Sequence, residues 1–107
     1  MGERLKDKIA LVTGAASGIG KGTALRFAEE GAAVACADLN SAGAEAVAAE
    51  ITGSGGRAIG IGADVTNQAD VERMISATRD AFGDLNVVVN NAGITHFISP
   101  QALTNII

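Results

Sequence analysis

Lys8-Ile9-Ala10-Leu11-Val12-Thr13-Gly14-Ala15-Ala16-Ser17-Gly18-Ile19-Gly20 is the stretch from which the architecture can be worked out. Lys8 to Thr13 is a short, nearly continuous apolar run, the pattern of a strand buried on both faces. Gly14 to Gly20 then carries glycines in the spacing Gly-x-x-x-Gly-x-Gly. Beyond it, Ile19, Thr23, Ala24, Phe27 and Ala28 recur at helical spacing, and Gly31 stops that helix. The opening unit is strand, glycine turn, helix.

The unit repeats along the chain. Ala33 to Asp38 predicts a second buried strand. Ser41 is the expected cap of a second helix whose apolar stripe is Ala44, Val47, Ala48 and Ile51. Gly53-Ser54-Gly55-Gly56 is a turn cluster, and Arg57 to Asp64 reads as a third strand weakened by Gly60 and Gly62. Asn67 caps a third helix with the stripe Val71, Met74, Ile75, Thr78 and Phe82, closed by Gly83. Leu85 to Asn90 is the fourth strand, and Asn91 to Phe97 is loop. Ser99-Pro100 looks like a cap and first helical residue, so a fourth helix is expected to start there. Alternation with such short connections predicts an α/β fold: a doubly wound parallel sheet with right-handed crossovers and helices on both faces. The expected strand order is 3-2-1-4, with Val87, Val88 and Val89 on an open edge. That edge leaves the chain open to self-association or homo-oligomer formation.

Composition sets limits on what such a sheet can do. The 107 residues suffice for one domain, 48% are hydrophobic and 19% charged, and the composition is globular. A net charge of −4 offers no basic stripe, so no nucleic-acid partner is expected. No apolar run approaches a membrane-spanning length, and Met1 to Lys8 is mixed-charge without the apolar segment of a signal peptide. Cys36 is the single cysteine and reads as a small core residue, which points to a reducing compartment, the cytoplasm. His96 is the single histidine and reads as a loop residue. No metal site is expected. There is no Tyr, so no phenol is available as a general acid or base.

The motifs fall at strand ends. Gly14, Gly18 and Gly20 follow an apolar strand and open a helix, the context in which backbone can approach a pyrophosphate. Close helix–strand packing is the alternative use of such glycines. Asp38 ends the second strand, 18 residues after Gly20. In dinucleotide-binding (Rossmann-type) folds an acidic residue about 20 residues on binds the ribose hydroxyls. Its charge would repel a 2′-phosphate, and neither Leu39-Asn40 nor Ser17 supplies a cation, so NAD is expected over NADP. An exposed, loop-capping Asp is the alternative. Asp64, beside Val65, suits either a hydrogen bond from an adenine amino group or a plain turn. Asn90-Asn91-Ala92-Gly93 offers paired amides and room for a flat ring, or an Asx-rich turn.

Thr13 to Gly20 together with Asn90-Asn91-Ala92-Gly93 resembles the short-chain dehydrogenase/reductase family, and the positions of Asp38 and Asp64 agree. The resemblance covers Lys6 to about Thr95. It implies hydride transfer between NAD(H) and an alcohol or carbonyl substrate in the full-length family. It also implies that Gly14, Ser17, Gly18, Ile19 and Gly20 line the pyrophosphate, Asp38 and Leu39 the adenosine ribose, and Asp64 and Val65 the adenine. Asn91, Ala92 and Gly93 would lie on the nicotinamide side, with Asn90 bracing the central strand. The family's Ser, Tyr-x-x-x-Lys and Asn catalytic set has no match here, and Asn105 comes too early for the Asn. No catalytic residue is therefore assigned. Residues 1–107 are expected to be a single NAD-binding domain, truncated relative to the family and catalytically incomplete alone. A non-catalytic dinucleotide-binding module and a structural or interaction fragment are the alternatives.

Overall fold

Parallel pairing of four strands joins the repeated units into one sheet. The computed structural model describes residues 3–91. In chain order the elements are β1 (Ile9–Thr13), α1 (Gly18–Glu29), β2 (Ala33–Asp38), α2 (Ser41–Gly53), β3 (Arg57–Gly62), α3 (Gln68–Phe82) and β4 (Val87–Asn90). The sheet order is β3-β2-β1-β4, and every pair is parallel, as the alternation predicts. Among the described residues nothing pairs with the outer edge of β4, where Val87, Val88 and Val89 are half-buried. The helix expected at Ser99-Pro100 lies outside the described residues.

Three strand boundaries differ from the sequence reading: β1 begins at Ile9 rather than Lys8, and the other two shift for local reasons. β4 begins at Val87 rather than Leu85 because Asn86 uses its side chain for pairing. Its Oδ1 accepts the Ile9 N–H at 2.8 Å, while its own N–H donates to the Ile9 carbonyl at 2.9 Å. β3 ends at Gly62 rather than Asp64 because the chain turns after Ala63, whose N–H donates to the Asp38 carbonyl at 3.0 Å. The α2 cap is Asn40, one residue before the expected Ser41: its side chain accepts the Gly43 N–H at 3.0 Å. Asn67 caps α3 as expected, accepting the Asp70 N–H at 3.0 Å.

Side chains alternate between the two faces of the sheet. Leu11, Ala35, Ala37 and Ile61 pack with Val71, Met74 and Ile75 of α3. Val12, Val34 and Cys36 pack on the other face with Ala24 of α1 and with Val47, Ala48 and Ile51 of α2. The predicted stripes of α2 and α3 are therefore the buried ones, except that Phe82 at the end of α3 is only half-buried. The α1 stripe is narrower than expected: Ala24 is buried, but Ile19 is 80% exposed. Glu30 is also more buried than its charge suggests. Its Oε2 pairs with Arg26 at 2.7 Å and its Oε1 accepts the Arg4 N–H at 3.3 Å, which ties the N-terminal segment to the end of α1.

The glycines of β3 bring α2 close to the sheet. A Cβ at Gly60 would lie 2.5 Å from the Glu45 Cα, and one at Gly62 would lie 2.6 Å from the Ser41 Cβ. Gly22, on the exposed side of α1, has nothing within 4 Å of a Cβ. The same substitution therefore has opposite signs at the two sites. Gly60→Ala is expected to destabilise by about 1–3 kcal/mol through overpacking against helix backbone. Gly22→Ala is expected to stabilise by roughly 0.5–1 kcal/mol through helix propensity. Urea unfolding of both variants checks the pair.

Candidate functional site

The chain runs outward from β1 to β2 to β3, then α3 carries it back to β4 on the other side of β1. A crevice opens beyond the carboxyl ends of the strands at such a reversal. A cleft of about 460 Å³ is found there. Its walls include Gly14, Ser17, Ile19 and Gly20 after β1 and Asp38 and Leu39 at the end of β2. Asp64 and Val65 after β3 and Asn91 after β4 complete the set of predicted residues it gathers. Ala63 also lines it and was not legible as a site residue, because a small apolar residue at a strand end carries no chemical signal. Gly18 belongs to the same turn. Ala92, Gly93 and His96 lie outside the described residues.

The glycines of this turn are needed for two different structural reasons. Gly14 and Gly18 have left-handed backbones, with φ of 65° and 59°. Gly20 is a contact glycine: a Cβ there would fall 1.9 Å from the Gly14 carbonyl oxygen. Only a hydrogen fits, so the first turn of α1 rests on the end of β1. No side chain caps this helix, and its first amide with a backbone acceptor is that of Lys21, to the Ser17 carbonyl at 3.2 Å. The amides before it are the free donors of a helix N-terminus, which favours anions.

Asp38 is fixed by two backbone donors. Its Oδ2 accepts the Ala16 N–H at 3.0 Å and its Oδ1 accepts the Asn40 N–H at 2.9 Å. The carboxylate thus clamps the glycine turn to the end of β2. A carboxylate has about four acceptor sites, so each oxygen keeps capacity for a further donor. Ile19 and Leu39 flank the turn, 80% and 75% exposed, and form an apolar rim on the cleft.

The far wall is equally tied. The Thr13 hydroxyl donates to Asn90 Oδ1 at 3.0 Å and accepts the Asn91 N–H at 3.2 Å, joining the ends of β1 and β4. The Asn90 brace expected from the resemblance therefore runs through Thr13, whose hydroxyl gave no sign of this role in the sequence. Asn91 Nδ2 is buried and has no hydrogen-bond partner among the described residues. A buried amide donor left over on a cleft wall suits a polar ligand group.

The structure shows Asp64 in the second of the two uses open to it in the sequence, the turn. Its Oδ1 accepts from the Thr66 N–H at 2.9 Å and the Thr66 hydroxyl at 2.6 Å, which makes it a turn residue. Those bonds hold its carboxyl below the usual carboxylate range. It is therefore charged at neutral pH, with Oδ2 carrying its remaining acceptor capacity. Burial pushes the Cys36 thiol up to about 11, in keeping with a core role. Among the described residues no group of side chains could hold a metal ion, and no helix is long and apolar enough to cross a membrane.

A family model described as short chain dehydrogenase matches residues 8–106. A 2,5-dichloro-2,5-cyclohexadiene-1,4-diol dehydrogenase of Sphingobium indicum is 50% identical over 96 residues, 90% of this chain and 38% of that protein. The D-threitol dehydrogenase of Mycolicibacterium smegmatis is 43% identical over 101 residues, 94% of this chain and 39% of that protein. The solved structure of a 7 alpha-hydroxysteroid dehydrogenase complexed with NADH and 7-oxo glycochenodeoxycholic acid superposes with a TM-score of 0.83 at 36% identity. That match covers 87% of this chain and 36% of the other. The chain thus spans well under half the length of these relatives.

The Asp64 turn yields a titration test. Thr66→Ala is expected to raise the Asp64 carboxyl toward its ordinary value, read by carbon-detected NMR. A folded value below the unfolded one means that the stability Asp64 contributes is present above the unfolded value. It is lost as pH falls through the folded value. Thr66→Ala removes the hydroxyl donor and keeps the backbone N–H, so it is expected to weaken that acid-side dependence without abolishing it.

Proposed function

The chain belongs to the short chain dehydrogenase family, and from that premise we propose that it is the part of an alcohol–carbonyl oxidoreductase that holds NAD(H). The observation that carries the reading is the placement of Asp38. Its carboxylate is locked between the glycine turn and β2 with acceptor capacity left on both oxygens, beside an uncapped helix N-terminus.

Each part of the cleft then has a task. The free amides at the start of α1 meet the pyrophosphate, with Gly14, Ser17 and Gly18 allowing the close approach. Asp38 accepts from both adenosine ribose hydroxyls, and Leu39 covers the sugar. Ile19 lies along the pyrophosphate, and Asp64 and Val65 border the adenine. The spare Asn91 amide faces the nicotinamide side; the resemblance assigns Ala92 and Gly93, outside the described residues, to the same part of the cofactor. When bound, NAD supplies the site that accepts or returns the hydride. Ligand binding would also cover Ile19 and Leu39, whose apolar exposure is otherwise unexplained.

The charge pattern favours NAD over NADP. Among the described residues no Lys or Arg lines the cleft. Lys21 is directed to Glu50 at 3.7 Å, away from the cleft walls. A 2′-phosphate would therefore meet Asp38 with no cation to offset it. The proposed substrate is a small alcohol or carbonyl compound. A cytoplasmic location agrees with the free, buried Cys36.

Proton transfer at the substrate oxygen is a separate requirement. The sequence has no Tyr, and the family's Tyr-x-x-x-Lys pair has no counterpart in it. The 107-residue chain by itself is therefore expected to bind but not to turn over. Calorimetry is expected to show NAD binding preferred over NADP by at least about ten-fold, and Asp38→Ala is expected to abolish the preference. Binding of both dinucleotides unchanged by Asp38→Ala would refute the ribose assignment. NAD-dependent alcohol oxidation by the pure chain would refute the expected inactivity.

A further inference from the structure

Asp64 and Ala63 form a thin wall. On one side is the main cleft; on the other is a second groove of about 660 Å³, which both residues also line. Asp70 and Arg73 of α3 line that second groove and do not line the main cleft. Both reach the wall from behind. Asp70 Oδ2 accepts the Asp64 N–H at 2.8 Å. Arg73 Nη2 donates to the Gly62 carbonyl at 2.7 Å and pairs with Asp70 Oδ1 at 3.4 Å. The Asn67 N–H donates to the Asp64 carbonyl at 3.0 Å, and Thr66 takes Oδ1. Asp64 is thus held at its N–H, its carbonyl and one carboxylate oxygen, all by residues on or leading into α3.

We infer that Asp70 and Arg73 are positioning residues that set which purine the cleft accepts, by fixing the one Asp64 oxygen left to read it. The inference rests on the dinucleotide reading above. A carboxylate at neutral pH can only accept hydrogen bonds. It therefore favours a purine bearing an exocyclic amino group and disfavours one bearing a carbonyl there. That selection works only while the carboxylate is held in place. A turn free to swing would lose it, because Oδ2 would then meet solvent as readily as the purine. Arg73 pairs with Asp70 Oδ1, which leaves Asp70 Oδ2 to accept the Asp64 N–H.

The test compares NAD with nicotinamide hypoxanthine dinucleotide, in which the purine amino group is replaced by a carbonyl. Titration calorimetry on the 107-residue chain is expected to show NAD preferred by about ten-fold, the scale of one charge-assisted hydrogen bond. Asp70→Ala and Arg73→Met are each expected to cut that preference several-fold while changing affinity for the hypoxanthine analogue little. Asp70→Asn keeps an acceptor for the Asp64 N–H and is expected to restore most of the preference. A purely structural role would weaken both dinucleotides alike and would not follow this rescue. Should Asp70→Ala fold poorly, the half-exposed Arg73 makes Arg73→Met the deciding variant. An undiminished preference in Arg73→Met and Asp70→Ala overturns the inference and leaves dinucleotide binding standing. Equal wild-type affinity for the two dinucleotides also overturns it. A wild-type chain that binds neither overturns the dinucleotide reading itself, and this inference with it.

Discussion

The first turn of α1 touches the end of β1, and much of the molecule's arrangement follows from that contact. With no Cβ at Gly20, the helix seats directly on the Gly14 carbonyl. The seating keeps the N-terminal amides of α1 at the mouth of the cleft instead of against the sheet. It also brings the Ala16 N–H within 3.0 Å of Asp38, so β2 is locked to the same turn. A larger residue at position 20 would lift the helix and separate these parts together. One hydrogen atom in place of a methyl group therefore fixes a helix, a loop and a carboxylate in one geometry.

Around that contact the cleft is held mostly by side chains bonded to backbone. Asp38 holds the glycine turn, Thr13 joins β1 to β4, and Asp70 and Arg73 hold the turn after β3. Loops at strand ends lack ladder partners, so side chains must satisfy their amides and carbonyls. The polar groups left over after this internal bonding are the ones on the cleft: the α1 amides, the outer capacity of Asp38 and Asp64, and Asn91 Nδ2. The rigidity of the walls and the chemistry offered to a ligand come from the same small set of residues.

Much of this was legible in the residues. The apolar runs at Lys8–Thr13 and Ala33–Asp38 have the pattern of strands covered on both faces, and the stripes at Val47–Ile51 and Val71–Thr78 have the period of helices with one buried face. Asp38 and the glycines were legible because their chemistry is unusual for their position. Other features were not legible because they depend on partners distant in sequence. Thr13 reads as an ordinary strand residue until Asn90 and Asn91 stand beside it. Glu30 reads as surface charge until Arg26 and the Arg4 amide enclose it. Ile19 fits the helical stripe by spacing alone, yet its turn faces the cleft.

The order of elements, the parallel sheet and the residues available at the strand ends all follow from local periodicity and from what each side chain can do. How those residues are used depends on the packing of distant elements. That packing assigned Gly20 to contact and Gly18 to backbone conformation, gave Asp64 both a turn and a free oxygen, and placed Asp70 and Arg73 behind the wall. Periodicity reports which way a residue faces along its own element. Which atom of another element it meets is set by packing, across separations that no local pattern records.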